Sequence, residues 1–152
     1  MCLYDPKDAN NLLNKKKMPI RCYKVFKVLK EEDEKIIHSP VYHETTWEVG
    51  RTRRTSDEWN TVSYPVFDMY GRIWGGAFHS YARLEGAKKH VDAYTEYCMD
   101  NERYVIYRCE IPKDSQYLYQ GKTYIQTHPV KSYASQSLKV LREVKYIPHV
   151  KQ

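Results

Sequence analysis

The strongest constraint on the fold is a single apolar stripe in the second half of the chain. Between about residues 81 and 99, apolar side chains recur at steps of three and four, as they do on one face of an α-helix. The stripe consists of Leu84, Ala87, Val91, Tyr94 and Cys98. Ser80 stands at the expected N-cap, where its hydroxyl can accept a backbone N–H. Lys88, Lys89 and His90 lie off the stripe, so we expect them to be solvated.

The segments on either side of this helix have the patterns of β-strands. Residues 20–29 and 103–111 are rich in β-branched and aromatic residues that divide between two faces. Further strands are predicted at residues 36–42, 122–125 and 137–147. Residues 135–144 also fit the spacing of a short helix, so both structures stay open there.

The chain has the length and composition of one globular domain. It has 152 residues, 41% hydrophobic and 29% charged, which is enough to bury a core without cross-links. We predict an α+β fold, a twisted, mostly antiparallel sheet with one main amphipathic helix packed on it. The domain should span residues 20–152, after a flexible polar arm at residues 1–19. No apolar run is long enough to cross a membrane, and no secretory signal is recognisable, so we expect a cytoplasmic protein.

The cysteines and histidines form no metal-binding motif. There is no C-x-x-C pair and no H-x-x-x-H pair, so we assign no metal and no cofactor. Cys2, Cys22, Cys98 and Cys109 are expected to be reduced, with Cys98 and Cys109 in the core. No serine lies in a nucleophile elbow, and we assign no catalytic residue.

One candidate site for an anion is the start of the predicted helix. Free N–H groups and the positive end of the helix dipole attract phosphate there, and glycines let a ligand approach the backbone. The residues predicted to bind ligand in this segment are Gly76, His79, Ser80, Tyr81 and Arg83. The alternative is a glycine turn and an ordinary serine cap, with no ligand.

A second candidate is the polar segment at residues 51–63, which we predict to be a long functional loop. Arg51, Arg53 and Arg54 follow Trp47, and Arg side chains pair with phosphate and stack on bases. Trp47 and Trp74 are predicted to supply stacking faces. The alternative is a solvated basic loop. A net charge of +6 and 15 Tyr residues also favour an anionic ligand with planar groups.

A third arrangement is similar to that of ADP-ribosyltransferases. Those enzymes combine an early strand Arg or His, a Ser-rich strand and a late Glu. Arg21, residues 132–137 (SYASQS) and Glu143 stand in this order. The Glu would stabilise a cationic, sugar-like transition state. The alternative is a structural Arg and a Glu on the surface of a strand.

Six short motifs together resemble a family of small uncharacterised bacteriophage proteins. They are CYK at 22–24, SPVY at 39–42, WEVG at 47–50, FHSY at 78–81, IPKDSQYLYQG at 111–121 and YASQSL at 133–138. The resemblance spans nearly the whole chain and implies a viral origin. Small phage proteins of this kind often act in counter-defence or host takeover. The resemblance supplies no catalytic residues.

These features lead to three hypotheses about function. The first is a phage-type, non-enzymatic binding protein that sequesters a nucleotide or a nucleotide-derived immune signal as its partner. The second is an ADP-ribosyltransferase-like enzyme that acts on NAD. The third is a protein–protein inhibitor of a host defence factor that uses a Tyr-rich surface. No membrane partner is expected, and a homo-oligomer is left open.

Overall fold

A computed structural model shows the architecture of residues 14–15, 18–33, 36–39, 46–54, 78–125 and 127–148. The strands are β1 (Asn14–Lys15), β2 (Ile20–Leu29), β3 (Ile36–His38), β4 (Thr46–Glu48), β5 (Thr52–Arg54), β6 (Phe78–Tyr81), β7 (Glu102–Ile111), β8 (Gln116–Ile125), β9 (His128–Ser135) and β10 (Ser137–Val144). The helix is α1 (Leu84–Tyr94), followed by a 3-10 turn at Thr95–Tyr97. The predicted α+β domain, a mostly antiparallel sheet with one helix packed on it, is confirmed.

All described strands belong to one antiparallel sheet. Its order is β1-β8-β9-β6-β2-β7-β10-β5, with β3 pairing with β2 and β4. The central pair is β2 with β7, which are in register from Ile20 opposite Ile111 to Leu29 opposite Glu102. Because both strands carry apolar residues on both faces, each face of the sheet has to be covered.

The sheet is strongly curled. Only Gln136 separates β9 from β10, although β6, β2 and β7 lie between them in the sheet. The end of β9 must therefore meet the start of β10 across the concave face. The backbone N–H of Gln136 donates to the carbonyl of Gln116, 3.0 Å away, so the start of β8 lies at the same junction.

Two hydrophobic cores lie on the two faces of this sheet. The inner core fills the concave face and consists of Cys22, Phe26, Val28, Ile37, Trp47, Val105, Tyr107, Cys109, Ile111, Tyr117, Leu138 and Val140. The helix-side core consists of Val25, Tyr81, Ala87, Val91, Ile106, Ile125 and Val130. The predicted apolar stripe thus packs against the sheet from Leu84 to Tyr94. Its predicted last member, Cys98, lies beyond the end of α1 and after the 3-10 turn. The helix comes so close at Gly86 that a Cβ there would lie 3.0 Å from the Tyr81 ring.

The predicted start of the helix is wrong by three residues. Residues 78–81 pair with β9, from Phe78 opposite Ser135 to Tyr81 opposite Ser132, so Ser80 is a strand residue and caps nothing. The N-cap is Arg83, in extended conformation and without a side-chain cap. Strand pairing has overridden the local capping signal because it satisfies the backbone of the whole segment.

The expectation that His90 is solvated is also wrong. Its Nδ1 lies 2.6 Å from the Tyr81 hydroxyl, and its ring packs edge-on against Tyr81, Tyr94 and Tyr104. Burial lowers the pKa of His90 to about 3, so the imidazole that forms a hydrogen bond with the Tyr81 hydroxyl is neutral. The helix stripe is therefore wider than the apolar residues alone indicated.

Among the strands, residues 137–144 form β10, and the alternative of a short helix there is wrong. The strand predicted at residues 122–125 is the end of the longer β8, and β9 was not predicted as an element. The predicted loop at 51–63 begins with a strand, because residues 52–54 pair with β10; residues 55–63 lie outside the described part. Of the predicted arm, Asn14–Lys15 pair with β8, and residues 1–13 and 16–17 lie outside it.

The described residues include three of the four cysteines. Cys22, Cys98 and Cys109 carry free thiols, and Cys22 and Cys109 are buried in the inner core, whereas Cys98 is only half-buried. No helix among the described residues is long and apolar enough to cross a membrane. Within the same residues, no three His, Cys, Asp or Glu side chains come together in a group that could hold a metal ion.

Candidate ligand-binding cleft

A cleft opens where the concave face of the sheet meets the start of α1. Its volume is about 570 Å³. It is lined by Met18, Pro19, Ile20, Ala82, Arg83, Tyr117, Tyr119, Lys131 and Tyr133, and we call it the tyrosine cleft. The lining comes from the starts of β2 and α1 and from the adjacent strands β8 and β9.

Three tyrosines form one wall of this cleft. The ring centres of Tyr119 and Tyr133 are 5.4 Å apart, and those of Tyr117 and Tyr133 are 6.1 Å apart. Tyr117 is anchored in the inner core, whereas Tyr119 is 39% exposed. The wall is thus fixed on one side and open on the other. Such a rigid aromatic surface can stack against a planar ligand.

The phenol of Tyr133 stays protonated at neutral pH. Burial raises its pKa, and the neighbouring groups of Tyr119, Cys22 and Tyr117 raise it further. A protonated phenol can donate a hydrogen bond to an anion, whereas a phenolate would repel it. The wall therefore suits an acceptor-rich, negatively charged ligand.

Two cationic side chains lie beside the tyrosine wall. The backbone N–H of Ala82 donates to the carbonyl of Lys131, 2.9 Å away, which brings Arg83 and Lys131 to the same rim. Both residues are exposed. Arg83 also precedes the first turn of α1, so the positive end of the helix dipole adjoins the cleft. Glu85 in that turn offsets part of the dipole.

A half-buried lysine lies deeper in the concave face. The Lys24 Nζ donates to the carbonyl of His79, 2.7 Å away. Burial lowers the pKa of Lys24 to about 8, so the amine is still mostly charged at neutral pH. Beside it, burial raises the pKa of Cys22 to about 12, and the Cys22 thiol adjoins the Ser80 hydroxyl. Lys24 thus adds positive charge to the interior while the thiol stays neutral.

Residues 47–54, which contain Trp47 and the three predicted arginines, have a mainly structural role. Trp47 is 3% exposed and packs edge-on against Phe26 and Phe78, with ring centres 5.6 and 4.8 Å apart. The Arg53 guanidinium lies 5.3 Å from the centre of the Trp47 ring and donates to the Thr46 carbonyl. Because Trp47 is in the inner core, it has no free face for the ligand stacking that was predicted.

The other two arginines, Arg51 and Arg54, lie in different surroundings. Arg51 Nε lies 3.1 Å from Glu48 Oε2 on the surface. Arg54 lines a different cleft, at the junction of β9 and β10. The two segments predicted to share a ligand do meet, but through Trp47 and Phe78 in the core and not through their arginines.

The predicted helix-end residues are also distributed over different surroundings. Ser80 and Tyr81 are buried, and Tyr81 belongs to the helix-side core. His79 is half-buried, and its carbonyl accepts from Lys24. Among the described members of the predicted ligand-binding set, only Arg83 lines the tyrosine cleft. Trp74 and Gly76 lie outside the described residues.

Sequence reasoning missed Tyr117, Tyr119, Tyr133 and Lys131 as site residues. A signal was present, because Tyr117 and Tyr119 are two residues apart and so face the same side of a strand. The unusual number of tyrosines pointed to such a surface, but not to its place.

The transferase-like residues do not come together. Arg21 lies opposite Glu110, which lies opposite Lys139. Glu143 is four residues further along β10, or roughly 13 Å at the usual rise of a strand. Its carboxylate pairs with the Lys145 ammonium, 2.9 Å away.

No known protein family, no curated protein and no solved structure matches this chain.

Proposed function

We propose that this protein binds a nucleotide or a nucleotide-derived signal in the tyrosine cleft and sequesters it without converting it. The observation that carries the proposal is the combination of a fixed aromatic wall with two cations on one rim. A base needs a flat apolar face, and a phosphate needs positive charge and donors. Both requirements are met within one cleft of the described structure.

The expected binding mode follows from this layout. The base stacks on Tyr119, which is the exposed member of the wall. Stacking on an aromatic side chain contributes about 1–3 kcal/mol per base. The phosphate lies between Arg83 and Lys131, where each charge-assisted hydrogen bond contributes about 1.5–3 kcal/mol.

Sequestration without turnover is supported by the chemistry of the lining. The described lining residues include no carboxylate, imidazole or thiol, the groups that most often carry acid–base or nucleophilic catalysis. The same proposal includes a counter-defence role in which the protein lowers the free concentration of a host signal, and this part rests on the six short motifs alone.

Isothermal titration against mono-, di- and cyclic nucleotides tests the proposal. One class should bind, and mass spectrometry should recover that ligand unchanged after incubation. Arg83→Ala combined with Lys131→Ala should weaken binding by at least about 1.5 kcal/mol. Arg103→Ala is a matched control. Arg103 is exposed near the start of β7, whereas the cleft residue Ile20 pairs with Ile111 at the end of β7. Binding that survives the double substitution, or no binding by any nucleotide, would contradict the proposed site.

A host-protein inhibitor is a second candidate, supported by a separate surface. Tyr97 and Met99 follow α1 and are 69% and 70% exposed. Aromatic residues and Met are common at protein interfaces. Native mass spectrometry of protein purified from the host separates the two functions. A co-purifying nucleotide supports sequestration, whereas a co-purifying protein that is lost in Tyr97→Ser combined with Met99→Ser supports inhibition.

A further inference from the structure

A second, polar cleft lies at the start of β8. It has a volume of about 440 Å³, and we call it the Arg54 cleft. Its donors come from Arg54, Lys113, Thr52, Ser137, Gln116 and Gln136. One carboxylate, that of Asp114, also lines it. Two cations against one anion leave the lining with a net positive charge.

Strand pairing and a tight turn build this cleft. Arg54 lies opposite Ser137 in the β5–β10 pair, which fixes the arginine at the rim. On the other side, the N–H of Ser115 donates to the carbonyl of Pro112, 3.2 Å away. Asp114 in this turn has a φ of 63°, in the left-handed region. The backbone between Lys113 and Gln116 is therefore held in a defined shape.

Consecutive residues of one strand line the two clefts. Gln116 lines the Arg54 cleft, and the next residue, Tyr117, lines the tyrosine cleft. The edge strand β1 runs beside the same point, since Lys15 pairs with Gln116 and Asn14 with Tyr117. The backbone of Lys15 is thus placed next to the residues that line both clefts.

We propose that the Arg54 cleft is a second phosphate subsite, so that the natural ligand contains at least two phosphodiester-linked nucleotides. This inference rests on the proposed function of the tyrosine cleft. One nucleotide stacks on Tyr119 with its phosphate at Arg83 and Lys131, and the next phosphate passes the start of β8 to reach Arg54 and Lys113. A mononucleotide fills only the first cleft and leaves the second without a ligand.

A comparison of ligand lengths tests this inference. The probes are adenosine 5′-monophosphate, linear and cyclic di-adenylate, and fluorescently labelled single-stranded decanucleotides of DNA and RNA. Ligands with two or more phosphates should bind roughly 10-fold to 100-fold more tightly than the mononucleotide, the gain expected from one further charge-assisted contact. The linear and cyclic arms show whether the second phosphate belongs to an open chain or to a ring.

The Arg54→Ala and Lys113→Ala double variant isolates the second cleft. It should lose that 10-fold to 100-fold gain for the longer ligands and leave mononucleotide affinity unchanged. For the decanucleotides, the association constant is measured at several salt concentrations. The slope of its logarithm against the logarithm of the salt concentration should become shallower by about 0.7 for each phosphate contact removed. Arg103→Ala should change neither quantity. Arg54, Lys113 and Arg103 are all exposed, so thermal melting should show that each variant is folded.

The failures of the two proposals are distinguishable. If the mononucleotide binds as tightly as every longer ligand, or if the double variant keeps the full gain, the second subsite is refuted and the tyrosine cleft stands. If no probe binds to the intact protein, the proposed function fails, and the second subsite fails with it.

Discussion

Lys27 and Glu102 form an ion pair that is almost completely shielded from water. Lys27 Nζ lies 2.8 Å from Glu102 Oε2, and the two side chains are 9% and 11% exposed. The ammonium also lies 5.8 Å from the centre of the Tyr104 ring. Glu102 Oε1 accepts the backbone N–H of Met99, 3.1 Å away. Glu102→Gln keeps the shape of the side chain and an oxygen for Met99, but it leaves the Lys27 ammonium without a counter-charge.

The free energy of unfolding should fall by about 3–5 kcal/mol in Glu102→Gln, the usual result when one partner of a buried ion pair is removed. Lys27→Met should have a similar effect, because it removes the ammonium that lies 2.8 Å from the shielded carboxylate. The double variant removes both charges and should lie within about 1–2 kcal/mol of the original protein, since paired burial of charge contributes little net stability. Urea unfolding followed by circular dichroism at neutral pH measures all four proteins.

The pair of Glu143 with Lys145 provides a matched control. Its atoms are 2.9 Å apart, but the Lys145 side chain is 86% exposed. Exposed pairs contribute about 0–1 kcal/mol, so Glu143→Gln should leave the unfolding midpoint almost unchanged. If Glu102→Gln behaves like this control, or if the Lys27 and Glu102 losses simply add, the argument from shielding is refuted.

Three further predictions concern the helix-side core, the pH response and the cleft. Val91→Asp places an unpaired charge where the side chain is 1% exposed, and a normally melting variant would contradict the packing of α1. The pKa of His90 is about 3 in the folded protein and about 6.5 in the unfolded chain, so the unfolded chain binds more protons between these values. The free energy of unfolding should therefore fall as the pH drops below about 6.5, by up to about 1.4 kcal/mol per pH unit. In His90→Gln, the free energy of unfolding should depend less on pH between about pH 6 and 5. Equal pH dependence in the variant and the original protein would exclude His90 as the cause. Tyr119→Leu should weaken nucleotide binding by about 1–3 kcal/mol in calorimetry, whereas Tyr119→Phe should leave the affinity unchanged. Equal losses of affinity in both variants would show that the hydroxyl, and not the ring, contacts the ligand.

Local periodicity was sufficient where one element buries one continuous apolar face. The stripe from Leu84 to Val91 specified α1, and the β-branched and aromatic runs specified β2 and β7. The same reasoning missed β9, because its sequence HPVKSYAS contains a proline and small residues whose intrinsic strand preference is low. That strand forms because β6 and β8 pair with it on both sides.

Contacts between residues far apart in the sequence also decided where the helix begins and what surrounds His90. Ser80 has the side chain of an N-cap, but its segment pairs with β9, and Arg83 takes the cap position. His90 has a polar side chain, but three tyrosines from other turns and strands enclose it. A propensity of a few tenths of a kcal/mol per residue cannot outweigh the hydrogen bonds and burial that a whole strand gains.

The sequence by itself determined which residue types are available for the candidate site. It specified a basic chain rich in tyrosine and a helix with one apolar face. Only the tertiary structure decided which of these residues meet. Curling of the sheet took Trp47 into the inner core and left Tyr119 beside Arg83 and Lys131. The physical reason is that the side-chain period of a strand fixes the face on which a residue lies, whereas its neighbours across the sheet depend on strand order and register, which no local pattern specifies.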